Sequence, residues 1–234
     1  MAARASKRRA PTPTPQRDQP VPPETRRRAR TILNRLKKAY PDAHCALDHR
    51  SAYELLVSTI LSAQCTDARV NMVTPTLFER YPTPDELAQA SQGDLEGIIR
   101  STGFFRNKTT NLIGMAQAVV AEHDGDIPDT MEALQALPGV GRKTANVVLG
   151  NAFDKNEGIV VDTHVGRITR LLGLTDQKDP LKIEQDLIPL FPRKDWALLA
   201  HLLISHGRSV CIARRPQCGG CILADLCPSA TLPT

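Results

Sequence analysis

Leu137-Pro138-Gly139-Val140-Gly141-Arg142-Lys143-Thr144-Ala145-Asn146 is the stretch on which the reading of this chain turns. An apolar segment ends at Leu137, a Pro-Gly turn follows, and a helix is expected to start near Arg142. Upstream, Asp129-Thr130-Met131-Glu132 resembles a capping box. Helix 130–136, the turn and helix 142–152 therefore make a helix-hairpin-helix unit at 130–152. Gly139 and Gly141 lack the side chains that would block close approach of another backbone. The N–H groups of the turn and of the new helix then point outward together, which suits a phosphate. Lys143 falls in the first turn of that helix, where the macrodipole disfavours a positive charge. A lysine there is either a phosphate contact or a reactive amine.

Outward from this unit the pattern stays helical. Residues 25–39 carry Ile32, Leu33 and Leu36 at helical spacing, and 52–64 carry Tyr53, Leu56, Val57, Ile60 and Leu61. Thr66 or Asp67 can cap a helix running toward Tyr81, and Pro75 inside it predicts a kink or an early end. Thr83-Pro84-Asp85-Glu86 is a helix start. Gly93 is expected to separate two short helices and Gly103 to end the second, before a longer helix at 106–123. Residues 158–161 read as briefly extended. Asp162 can cap a helix through Leu172, Pro180 opens one to about Leu190, and Asp195 to about Arg208 is the last long one. The fold class expected is all-α.

The chain has 234 residues and a formal net charge of +5. Residues 1–30 hold nine Arg/Lys against Asp18 and Glu24, a net of +7, which leaves the other 204 residues at −2. The basic balance therefore belongs to the tail and cannot alone argue that the body binds nucleic acid. Residues 1–23 are Pro-rich and basic and are expected to be disordered. Lys7, Arg8, Arg9 and Arg26–Arg28 offer non-specific attraction to DNA, and an organelle presequence is an alternative reading of the same tail. No apolar run approaches a membrane span and no apolar signal segment is visible, so a cytoplasmic monomer is expected.

Four of the six cysteines crowd into Cys211-x6-Cys218-x2-Cys221-x5-Cys227. This clustering reads as a metal site in a reducing compartment. Structural zinc usually uses two CxxC or CxxH knuckles, and only Cys218/Cys221 makes one. Four thiolates also suit a [4Fe–4S] cluster. Both groups stay open on spacing alone. Arg214 and Arg215, in the loop between the first two cysteines, can face phosphates or offset the charge of the metal site.

Together these segments resemble the endonuclease III family of DNA glycosylases over roughly residues 25–228. The resemblance rests on Leu61-Ser62-Ala63-Gln64-x-Thr66-Asp67, on residues 137–145, on Val161-Asp162-Thr163-His164-Val165 and on the four-cysteine pattern. It implies two helical domains with duplex DNA bound in the cleft between them. Residues 45–155 would form a six-helix barrel carrying the hairpin. Residues 24–44 plus 156–234 would form a domain holding a [4Fe–4S] cluster on Cys211, Cys218, Cys221 and Cys227.

The resemblance also implies an activity: bifunctional base removal and abasic-site strand cleavage on oxidised pyrimidines. The catalytic lysine of the family matches Lys143 and its aspartate matches Asp162. Schiff-base chemistry needs a neutral amine. An ordinary lysine is neutral in only about one molecule in 2,500 at pH 7, a cost of ~4.6 kcal/mol, so the site has to help. Asp162 can cap its helix and also stabilise positive charge at the sugar. His164 reads as a structural hydrogen-bonding residue. Because the base must be flipped out, Gln64 matches the polar plug, and Phe104 stands where the family inserts an apolar wedge, usually leucine. Phe105 is the alternative wedge. Gly139, Val140 and Gly141 should hold a phosphate through the backbone. Arg142, Arg214 and Arg215 join Arg106, Lys108 and Arg167 as basic candidates for the DNA face. Two other readings stand beside this one: an adenine-type monofunctional glycosylase, which lacks the lysine, and a non-catalytic helix-hairpin-helix binding module.

Overall fold

The computed structural model describes residues 21–231. The tail reading on residues 1–20, with Lys7, Arg8 and Arg9, lies outside them. The described chain is helical: α1 (Pro23–Ala39), α2 (Ala52–Leu61), α3 (Asp67–Arg80), α4 (Pro84–Ala88), α5 (Gln92–Ile99), α6 (Phe105–His123), α7 (Met131–Ala136), α8 (Arg142–Ala152), α9 (Thr163–Leu171), α10 (Pro180–Leu187) and α11 (Trp196–Ser209), with four single 3₁₀ turns. Helix starts follow local chemistry. Ser51, Thr66, Ser91, Thr130, Asp162 and Asp179 each accept a backbone N–H three residues on, which satisfies one orphan donor per helix.

These helices bury two separate apolar cores. The first gathers Leu47, most of α2, Val70, Val73, Leu77 and Phe78 of α3, Leu112, Met115, Ala116 and Val119 of α6, and Ala145, Val148 and Leu149 of α8. The second gathers Ala29, Ile32, Leu33 and Leu36 of α1 with Ile159, Val165, Ile168, Leu187, Leu199, Leu203 and Leu223. Each fully buried aliphatic side chain contributes ~1.5–3 kcal/mol. The apolar stripe of α1 therefore has its partner not in α2 but more than a hundred residues later. Arg28 and Arg35 add to that pairing: Arg28 Nε donates to Leu226 O at 3.1 Å and Arg35 Nη1 to Ile222 O at 2.8 Å. Arg28 thus ties α1 to the cysteine segment and is not free for DNA.

A seam joins the two cores. A Cβ on Gly150 of α8 would lie 2.8 Å from Ala197 Cβ of α11, so these helices touch backbone to side chain there. The buried Glu184 of α10 accepts from Arg142 Nε and Nη2, both at 2.9 Å, and from Asn146 Nδ2 at 3.2 Å on α8.

Three local expectations are corrected. Helix α3 passes through Pro75 without ending. Pro75 is solvent-facing while Val73, Thr74, Leu77 and Phe78 are buried, so the missing N–H frees a carbonyl on the wet side and the buried face holds the helix. Gly93 lies inside α5, and the break falls earlier, before the Ser91 cap. Residues 158–161, read as briefly extended, are neither helix nor strand. The helix expected to reach residue 64 stops at Leu61, where Gln64 turns to φ 53°.

Candidate active site

The hairpin forms as α7, a buried Leu137 and α8. Val140 N–H donates to Leu137 O at 3.2 Å and closes the turn. Its two glycines serve different ends. Gly139 has φ +76°, and an added Cβ would meet Asn111 Cβ at 2.8 Å, so the turn itself requires glycine. Gly141 has ordinary extended backbone, and nothing lies within 4 Å of its missing Cβ. Open space beside the start of α8, with no side-chain cap on that helix, leaves its first N–H groups available to an outside acceptor.

Lys143 occupies the second position of α8 and is exposed. It lines a pocket of mixed polar and apolar walls together with Asp162, across the seam between the two cores. His44, Cys45, Thr59, Asp67 and Asn151 line it from the first side, and His201, Ser205 and Arg208 of α11 from the second. Val165 N–H donates to Asp162 Oδ1 at 2.7 Å. The cap fixes the carboxylate's direction and leaves Oδ2 for the pocket. Asp67 holds Arg208 Nη2 at 2.6 Å across the same cleft. His201 Nε2 donates to Asn151 Oδ1 at 2.8 Å. Burial, and then the nearby His44, lower the His201 pKa below the ordinary histidine value. His164 instead lies against α11: its Nδ1 is buried without a partner, 2.5 Å from where a Cβ on Gly207 would stand.

The remaining candidates separate by exposure. Gln64 is exposed in the α2–α3 turn with φ 53°. Phe104 is 66% exposed at φ 47°, directly before α6, whereas Phe105 packs on the first core. That divides the two aromatic candidates: only Phe104 is available as a wedge. Arg142 is corrected as a freely presented cation, because Glu184 takes two of its nitrogens. Lys108 is corrected outright: it is buried, and its Nζ donates to Leu61 O and Thr102 O. Arg167 Nη1 lies 3.5 Å from Cys211 Sγ. Arg106 is exposed and stacks over Phe105. Arg214 and Arg215 stand exposed with no ion-pair partner among the described residues.

Cys211, Cys218, Cys221 and Cys227 line one apolar pocket with Ile168, Leu171, Leu172 and His206. Polar groups approach the sulfurs, and Cys227 Sγ itself donates to Leu171 O at 3.4 Å. Leu223 N–H lies 3.4 Å from Cys221 Sγ, His206 Nε2 3.6 Å from the same sulfur, and Thr231 Oγ1 3.7 Å from Cys218 Sγ. No three Cys, His, Asp or Glu side chains among the described residues converge as on a single ion. Four thiols around a shared space, with donors near Cys211, Cys218 and Cys221, fit an iron–sulfur cluster.

Glu184, Asn146, Asp67 and Arg208 were not legible as site residues. Their pairings span 38 to 141 positions and leave no local pattern. Asp67, three residues after Gln64, read only as a helix cap.

Comparison with known proteins places this geometry. Residues 57–193 match the family model of the HhH-GPD superfamily of base excision DNA repair proteins, and residues 211–227 match the iron-sulfur binding domain of endonuclease III. The endonuclease III of Synechocystis sp. is 55% identical over 205 residues, 88% of this chain and 94% of that protein. A solved non-covalent endonuclease III–DNA complex and a trapped endonuclease III–DNA covalent intermediate are each 42% identical with a TM-score of 0.83, covering 88% of this chain and 96% of theirs. The chain belongs to the endonuclease III family of helix-hairpin-helix base excision repair proteins.

Proposed function

We propose that this enzyme, a DNA glycosylase and abasic-site lyase of base excision repair, removes oxidised pyrimidines from duplex DNA with Lys143 as nucleophile. The observation that carries the reading is the shared pocket: Lys143 from α8 and Asp162 from the cap of α9 meet across the seam of two cores. We read each core as a domain, 45–155 and 24–44 plus 156–234, with duplex DNA across the cleft between them.

The chemistry uses these groups in turn. The neutral Lys143 amine attacks C1′, and the base departs with the glycosidic electron pair and takes up a proton. The sugar ring opens to a Schiff base on Nζ. The imine acidifies C2′; loss of that proton expels the 3′ phosphate, and water later releases the lysine. Asp162 stabilises the positive charge developing at the sugar and passes protons between Nζ and the sugar oxygen. Gln64 fills the gap left by the flipped base, and Phe104 wedges the stack. The N–H groups at Gly139–Gly141 and the start of α8 grip a phosphate without reading sequence, and Arg214 and Arg215 add cationic contacts. The cofactor is a [4Fe–4S] cluster, for which we propose Cys211, Cys218, Cys221 and Cys227 as ligands. When bound it crosslinks the C-terminal loop at four points, which holds Arg214 and Arg215 in place. No helix among the described residues is long and apolar enough to cross a membrane. With bacterial relatives such as that of Synechocystis sp., we infer a cytoplasmic enzyme at the nucleoid.

Asp162→Asn tests the division of labour. The amide still accepts the Val165 N–H, so the cap survives. Turnover on a single-lesion duplex should fall by about 100-fold or more, as when a charge-stabilising group is removed, with DNA affinity kept. Equal loss of affinity would reduce Asp162 to a structural cap.

A further inference from the structure

Lys108 is the one buried ammonium among the described residues that this chemistry leaves unused. It is 3% exposed on α6 and does not line the pocket of Lys143 and Asp162. Its Nζ donates to Leu61 O and to Thr102 O, each at 2.8 Å. Leu61 is the last residue of α2, and Thr102 is the last residue of the 3₁₀ turn Arg100–Thr102. Both carbonyls lie at helix ends, where partial negative charge accumulates and no intrahelical donor remains. Burial lowers the Lys108 pKa, a cost that two such acceptors offset.

The residues just beyond each carbonyl give the contact its meaning. Gln64 lies three residues after Leu61 and takes φ 53°; Phe104 lies two residues after Thr102 and takes φ 47°. Lys108 backbone N–H also donates to Phe104 O at 3.1 Å. One side chain thus pins the bases of the two loops that carry the two exposed, left-handed residues. We propose that Lys108 is a positioning residue for base extrusion, a clip that fixes the plug loop and the wedge loop relative to each other. This rests on the reading of Gln64 as plug and Phe104 as wedge.

The test compares two substrates in the holoenzyme. Excision from a lesion duplex needs both loops. β-Elimination at an abasic site in single-stranded DNA needs the same Lys143 and Asp162 but has no stack to open. Lys108→Met keeps the length and removes the donors. It should slow duplex excision by about 10- to 100-fold, as small misplacements of positioning groups do, and leave single-strand elimination within about twofold. In a Phe104→Ala background it should add little. Parallel loss on both substrates, unchanged duplex excision, or additive loss in the double variant would overturn the proposal. Lys108→Gln, which still donates to a carbonyl, should recover part of the duplex rate and carries the same comparison if the Met variant does not fold. Gln64→Ala and Phe104→Ala are run alongside. If both leave duplex excision intact, the plug-and-wedge reading fails; if they impair it and Lys108→Met does not, only the clip fails.

Discussion

Alanine at Gly139 and alanine at Gly141 should have opposite consequences, although the two positions are two residues apart in one turn. At Gly139 the backbone sits at φ +76°, which costs a residue with a Cβ ~1–2 kcal/mol. The new Cβ would also stand 2.8 Å from Asn111 Cβ and 3.0 Å from its Cγ, so Asn111 must shift. Moving that side chain off its rotamer adds ~0.5–1.5 kcal/mol. Together these give about 1.5–3.5 kcal/mol, or a melting temperature lower by about 3–14 °C in a chain of this size. Gly141 has φ −96° and no neighbour within 4 Å of a Cβ, so alanine there should change stability by less than ~0.5 kcal/mol. The methyl group would instead stand at the uncapped start of α8, where we propose a phosphate is held. Losing one charge-assisted N–H contact, worth ~1.5–3 kcal/mol, should weaken abasic-duplex binding by about tenfold or more. Thermal melts and duplex titrations on both variants read the two effects separately. A Gly139→Ala protein melting like the parent, or a Gly141→Ala protein binding like the parent, would refute this division.

Arg214→Ala and Arg215→Ala should each reduce the slope of log affinity against log salt by about 1 without changing melting, if each makes the phosphate contact proposed for it from an exposed loop; salt titrations of duplex binding check this. Acidification should destabilise the protein through His201. Its folded pKa lies below the unfolded value, so its contribution is complete above about pH 6.5 and is lost as the pH falls from there toward the folded pKa. Melting temperatures taken between pH 8 and pH 5 (roughly the span in which histidine titrates) should fall less steeply in His201→Gln than in the parent.

What could be read in the sequence was local. The caps at Thr130 and Asp162, the turn at Gly139 and the stripe of α1 each follow from a few adjacent residues, and the structure has them where the pattern puts them. Charges were not legible in the same way. Arg142, Lys108 and Arg28 look alike in the chain as exposed cations, yet one meets Glu184, one the ends of two helices and one the Leu226 carbonyl of the cysteine segment. The partners Glu184, Leu61 and Leu226 lie 42, 47 and 198 positions away, and only the assembled cores bring them together. Phe104 and Phe105 illustrate the same limit on a smaller scale. Composition cannot separate two adjacent phenylalanines, but the left-handed backbone at Phe104 turns one outward while the first turn of α6 turns the other onto the core.

We propose that the amine at position 143 makes the bond to DNA. Borohydride reduction of the enzyme on an abasic duplex traps any Schiff base as a stable adduct, and proteolysis with mass mapping locates it. One adduct is expected, on Lys143, absent from Lys143→Ala while that variant still binds the duplex. An adduct of undiminished yield in Lys143→Ala, or one mapped to another amine in the parent protein, would contradict the claim.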